Sequence, residues 1–342
     1  MATNFALTTA RPKDSLAKVG LLVIGLTALV VTMLLAFALP ATHTGAHGVP
    51  IGVVGSTGEV DQIRQQADGF DVTPYADQAA AREAILDREV DGALVLTGDG
   101  AVDTLVASAG SPSVATLVQQ LGQNVAEAAG GQASVTDLRA FPADDPRGAG
   151  LSAGALPLAL GGWIGAMVIM MMVHTPGRRV LAALGFAVVA GFVMTAMLRW
   201  VTGTFDDGYL LTSLGATLGI AATSIAVLGL RTLLGGAGLG IAAVVLILLG
   251  NPLSGLASAP ELLPSPWGAL GQLLPPGATG SLLRSLALFD GAGALHPLIV
   301  LGCWLLGGAA LYALGVLRHR TSPDAEVPER EIEEAFETTP AR

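Results

Sequence analysis

The chain divides into long uncharged apolar runs and one polar stretch near its start. Residues 19–39 carry no charge over 21 positions; as a helix they cover roughly 31 Å at 1.5 Å per residue, enough to cross a bilayer. Ala36-Phe37-Ala38 also fits the small-residue site of a cleaved signal peptide. The run is longer than the ~7–15 apolar residues of a signal core, which favours a retained helix. Residues 151–173, 180–200, 210–230, 233–250 and 297–317 read as five further spans.

Basic residues orient these spans. Arg11, Lys13 and Lys18 precede the first, Arg178 and Arg179 lie between the second and third, Arg231 follows the fourth, and Arg318, His319 and Arg320 close the last. The loop 201–209 carries Asp206 and Asp207 and no basic residue. The positive-inside bias then places both termini inside, with Arg199 at an outer helix end where its stem can snorkel. The expected fold class is a polytopic α-helical membrane protein of six spans in the cell membrane.

Residues 40–150, between the first two spans, form the polar stretch and are expected outside. Strand patterns at 49–55, 70–75, 92–96, 102–108 and 134–141 alternate with helical patterns at 62–67, 77–89 and 114–128. Such alternation predicts a small α/β layer domain. Ser56-Thr57-Gly58-Glu59 reads as a capping box opening the first of these helices. Residues 144–148 read as a linker into the second span.

Composition narrows the function. Hydrophobic residues make up 52% of the 342 and charged residues only 13%, about half the usual charged share of a soluble domain. The net charge of -10 argues against nucleic acid as a partner, because phosphate contacts need clustered Lys and Arg. One cysteine, Cys303, allows no intrachain disulfide and is expected to be a small packing residue. His43 and His47 stand four apart in a Gly/Thr/Pro linker, where solvated linker histidines are expected rather than a metal site. Neither lysine follows a glycine, so the chain carries no phosphate-binding P-loop, no catalytic constellation and no expected cofactor. Ser254, Asp290 and His296 could approach each other at the outer surface, but nothing orients them as a triad. No ionisable residue sits at mid-depth of a span, where an ion-coupled carrier would place one. Energy for transport would have to come from a separate partner.

Ser213, Thr217 and Ser224 share one face of the fourth span, as helix–helix glue or as a pathway lining. Gly161/Gly165, Gly215/Gly219 and Gly236/Gly240 are G-x-x-x-G pairs suited to close helix packing. Residues 251–294 contain six prolines (Pro252, Pro260, Pro264, Pro266, Pro275 and Pro276), which cut the stretch into pieces too short to span. Short helices are expected at 267–274 and 280–289, with Trp267 at headgroup level and Arg284 paired to Glu261 or Asp290. Broken apolar backbone between two full spans predicts a re-entrant segment buried in protein or lining a cavity.

This stretch, through Asn251-Pro252-Leu253-Ser254-Gly255, Leu263-Pro264, Trp267-Gly268, Leu274-Pro275-Pro276-Gly277 and Leu283-Arg284, resembles ABC-2-type transporter permeases. More narrowly, the whole arrangement is similar to actinobacterial membrane proteins related to the phage-infection-protein group. The resemblance implies a homodimer or pseudo-dimer in the bilayer and an outward export path capped by the re-entrant residues Asn251, Pro252, Pro264, Trp267, Pro275, Pro276 and Arg284. It also implies a cytoplasmic ATP-binding subunit that docks on residues 11–18 and on His174, Thr175, Pro176, Gly177, Arg178 and Arg179. That loop is short, with no coupling helix. The competing expectation is a surface receptor, or a scaffold in an envelope protein-secretion complex. Residues 318–342 form an acidic tail, expected to be solvated.

Overall fold

A computed structural model describes residues 16–42, 45–256 and 259–321. Arg11, Lys13, His43 and most of the acidic tail lie outside the described residues. The chain builds a five-stranded sheet domain and a helical bundle. Three helices are long and apolar enough to cross a membrane: α6 (Pro176–Trp200), α7 (Tyr209–Leu234) and α11 (Leu295–Thr321, apolar through His319). The chain is thus a membrane protein by length and composition. Two more long helices, α1 (Leu16–Thr42) and α5 (Ala149–Met172), accompany them.

The sheet domain follows the alternation of its sequence. Strands β1 (Val49–Val54), β2 (Phe70–Pro74), β3 (Gly92–Leu96), β4 (Val102–Val106) and β5 (Ala133–Asp137) are ordered β2-β1-β3-β4-β5. All neighbours are parallel except β3 and β4, whose short turn forces an antiparallel pair. Helices α2 (Thr57–Gln66), α3 (Gln78–Leu86) and α4 (Pro112–Ala128) cover the two faces. The capping box at Ser56 and Glu59 is present in both directions, and the hydrogen bonds that the Ser56 hydroxyl and N–H donate to Glu59 hold its carboxyl below the usual carboxylate range.

Side-chain alternation assigns the two faces. Val49, Ile51, Val53, Leu94, Val102 and Val106 face α2 and α4, while Ala93, Val95 and Leu105 face α3. The α3 face does not end in solvent. Its cluster continues through Phe141, Leu198, Phe205, Ile220, Leu283, Leu288 and Phe289, so the sheet domain and the bundle share one apolar core.

Within the bundle α7 is central: 78% of its apolar stretch is buried, against 22% for α6 and 28% for α11. Small residues permit this enclosure. An added Cβ at Gly219 would overlap Thr279, at Gly191 it would overlap Thr217, and at Gly308 it would meet the Ala226 backbone at 2.7 Å. Of the G-x-x-x-G pairs, only Gly215/Gly219 has both members inward, against Leu286 and Thr279; Gly165 packs on Phe186, whereas Gly161, Gly236 and Gly240 face open space.

The break between the fourth and fifth runs differs from expectation. It falls not at Arg231 but at Gly235, where φ is +65°. Arginine and threonine continue a helix, and only the left-handed glycine ends it. Beyond it lie α8 (Gly236–Ala242) and a π-helical turn over Ala243–Leu249, rather than one continuous α-helix.

The linker at 144–148 is structural. Asp145 is buried; its Oδ1 accepts from the Ala149 N–H at 2.7 Å, and its Oδ2 from the Gly150 N–H at 2.8 Å and from Thr204 Oγ1 at 3.2 Å. A carboxylate here satisfies the open N–H groups of the first turn of α5. Asp145→Ala should lower stability by about 1–2 kcal/mol, read as a fall in the thermal unfolding midpoint in detergent.

Candidate functional site: the seam between the sheet domain and the broken segment

Residues 251–256 and 259–294 fold as a compact unit wedged between α7 and the sheet domain. It comprises short 3-10 turns at Pro252–Ser254 and Pro260–Leu262, then α9 (Trp267–Gln272) and α10 (Pro275–Leu288). The second helix starts five residues earlier than expected because proline is tolerated in a first turn, where its missing N–H costs nothing. Its buried residues include Pro275, Pro276, Leu282, Leu283, Arg284 and Ser285.

Hydrogen bonds tie the pieces together. Ser281 Oγ donates to Gln272 Oε1 at 2.6 Å, and Gln272 Nε2 donates to the Ser254 carbonyl at 2.9 Å. Ser254 Oγ donates to the Asn251 carbonyl, and Trp304 on α11 donates to the Leu273 carbonyl. Trp267 is about half exposed at the rim.

The sheet domain grips this unit at two residues with left-handed backbone. Arg88, at φ +62°, donates through Nη1 to Ser285 Oγ at 2.7 Å, and its guanidinium lies 5.2 Å from the Phe289 ring centroid. Asp290, at φ +54°, accepts from Arg139 in an ion pair. Left-handed backbone outside glycine costs on the order of 1–3 kcal/mol and persists only where surrounding contacts hold it. Both such residues of the described chain lie on the seam.

Asp91, Glu261 and Arg284 complete a charged cluster with Arg88. Burial, and after it the Glu261 carboxylate, pushes the Asp91 carboxyl up to about 7, while Arg88 and Arg284 oppose that rise. Burial likewise lowers the Arg88 guanidinium. Asp91 Oδ2 and Arg284 Nε are enclosed without a hydrogen-bond partner among the described residues. The expected pairing of Arg284 is thus corrected: Asp290 is held by Arg139, and Glu261 reaches Arg284 only through the electrostatics of the cluster. Ser254 and Asp290 are each bound elsewhere and share no hydrogen bond with His296. Among the described residues no group of three or more His, Cys, Asp or Glu side chains could hold a metal ion.

The remaining candidates fall into two places. On α7, Ser224 Oγ donates to the Gly162 carbonyl at 2.9 Å, whereas Ser213 and Thr217 hydroxyls are enclosed without a partner among the described residues. Cys303 is exposed beside an apolar groove of about 310 Å³ between α7 and α11. At the end of the bundle far from the sheet, only three residues, 173–175, separate α5 from α6. There Arg179 folds back, its Nε donating to the Val173 carbonyl at 2.6 Å, and Tyr312 of α11 donates to the Pro176 carbonyl. His174, Thr175 and Arg178 line an open hollow of about 560 Å³, with Gly177 exposed nearby.

Arg88 and Arg139 were not legible as seam residues. Their contacts reach Ser285 and Asp290 across 197 and 151 positions, and no local pattern marks them. The sole hint was the surplus of cluster charges, a lone arginine in a broken apolar segment opposite an acidic domain. Comparisons with protein-family models, with curated proteins and with solved structures return no match for this chain.

Proposed function

We propose that the chain is the membrane subunit of an ATP-driven exporter of the ABC-2 type, moving a hydrophobic or amphipathic substrate outward across the cell membrane. In this reading six segments cross the bilayer with both termini inside, and the sheet domain lies outside. The observation that carries it is the broken segment, packed on the central helix α7 and roofed by the sheet domain. That is where an outer gate must sit, and irregular backbone at that depth is stable only when protein encloses it. ATP hydrolysis belongs to a separate subunit docking at His174–Arg179 and on residues 11–18. The open faces at Gly161, Gly236 and Gly240, with the exposed apolar flank of α1, suit a second copy in a homodimer.

The short 173–175 connection favours a second reading, a surface receptor or a scaffold in an envelope secretion complex, because it presents little for an ATPase to grip. Gene deletion separates the two. Loss of an ATP-binding protein encoded beside this chain should reproduce the phenotype of losing the chain itself; an unaltered phenotype would favour the receptor.

A further inference from the structure

The end of the bundle far from the sheet domain holds a second feature that the exporter reading does not use. The ends of α5, α6, α7 and α11 enclose a cavity of about 720 Å³ lined by Met170, Arg179, Arg231 with Thr232 to Gly235, Arg318 and His319. Among the described residues no carboxylate lines it. Between residues 151 and 321 the four acidic residues are Asp206, Asp207, Glu261 and Asp290, and the last two lie at the seam. Arg179 is anchored by the Val173 carbonyl and His319 by the Thr232 carbonyl at 3.2 Å. The Arg231 guanidinium has no hydrogen-bond or ion-pair partner among the described residues; its carbonyl accepts from the N–H of Gly235, which turns the chain beside it and whose position for a Cβ is 3.6 Å from an Arg231 guanidinium nitrogen.

We infer that this cavity binds the phosphate of an anionic phospholipid headgroup. A phosphodiester offers an acceptor for the Arg231 guanidinium, and the fork geometry of arginine matches it. Leu233, Leu234 and Met170 give the same cavity an apolar wall at the level of the helix ends, as an acyl chain requires and a soluble anion does not. Basic pockets between spanning helices select anionic headgroups in this way. The inference stands whether or not an ATP-binding subunit is present, since it uses only the bundle.

The test is native mass spectrometry of the full chain in detergent, supplied with phosphatidylglycerol or phosphatidylcholine. Phosphatidylglycerol should be retained preferentially, about fivefold less by R231Q and about 25-fold less by R231Q/R318Q. R199Q, at the opposite end of α6, should bind as the unaltered chain does. Unchanged lipid-free unfolding midpoints confirm that the exposed substitutions leave the fold intact; R231K, which keeps the charge, should retain most of the binding even if R231Q unfolds. Equal retention of both lipids would overturn the inference. So would an equal midpoint shift by inorganic phosphate alone, which would mark a soluble-anion site. Binding seen only after removal of residues 322–342 would identify the chain's own acidic tail as the occupant and would also overturn it.

Discussion

Replacing Gly271 by alanine is expected to dismantle the broken segment and to be the most damaging single methyl group added to this chain. A Cβ at Gly271 would overlap the Leu253 carbonyl oxygen and would stand 2.9 Å from the Leu253 Cβ. Backbone on both sides leaves no rotamer to relieve the clash, so α9 must part from the turn at Pro252–Ser254. Overpacking of this kind costs about 1–3 kcal/mol where side chains can shift, and more where they cannot. Parting these elements also strains the Gln272 bond to the Ser254 carbonyl, and with it the bond from Ser281. G185A on α6 is the control: nothing lies within 4 Å of that position, and a helical alanine is neutral or mildly stabilising. Thermal midpoints, with proteolysis between residues 252 and 288 as a local readout, separate the two. Equal behaviour of G271A and G185A would mean that the segment is not closely packed.

The second large effect concerns the seam. Arg88→Asn keeps a residue that tolerates left-handed backbone but removes the bond to Ser285 and the contact with Phe289. Hydrogen bonds to charged groups contribute about 1.5–3 kcal/mol, so amide exchange in α10 and in the turn after α3 should quicken by about ten- to hundredfold. Exchange in α4, on the other face of the sheet, should stay as it was.

The same seam should respond to pH. The Asp91 carboxyl is raised from 3.8 to about 7 on folding, so the folded chain holds the extra proton between those values. Stability from this group is therefore complete below about pH 4, falls as pH rises toward 7, and stays low above it, with a slope of at most about tenfold per pH unit. Arg88, Arg284 and Glu261 are the charged groups facing it. Asp91→Asn mimics the protonated carboxyl and should slow seam exchange most at pH 8, less at pH 5 and little below about pH 4, after correction for intrinsic exchange. An identical pH response in D91N would show that Asp91 does not govern the seam.

The sheet domain was legible because local rules agreed there. Alternation gave the strands, the Ser56–Glu59 capping box opened α2 as written, and Asp77 caps α3 through the Ala80 N–H. Prolines marked the broken segment because each removes a donor and restricts the residue before it. What stayed hidden depends on residues far apart. Apolar runs show how long a helix can be but not which one is central, and α7 owes its place to glycines whose partners lie on other helices. The turn at Gly235 was missed because Arg231, the expected inner boundary of the fourth span, does not end a helix. Arg284 was expected to pair with Glu261 or Asp290; Glu261 is among its charged neighbours, but Arg88 and Asp91 come from the sheet domain, where sequence proximity gives no guidance.

The most direct test of the proposed function is affinity purification of the tagged full-length chain in mild detergent, with co-purifying proteins identified by mass spectrometry. A nucleotide-binding ATPase recovered in near-stoichiometric amount, and lost on replacing Arg178 and Thr175 in the short α5–α6 connection, is the expected result. A well-folded chain recovered without any ATP-binding protein, and instead with a stable extracellular partner, would contradict the exporter reading and establish the receptor or scaffold in its place.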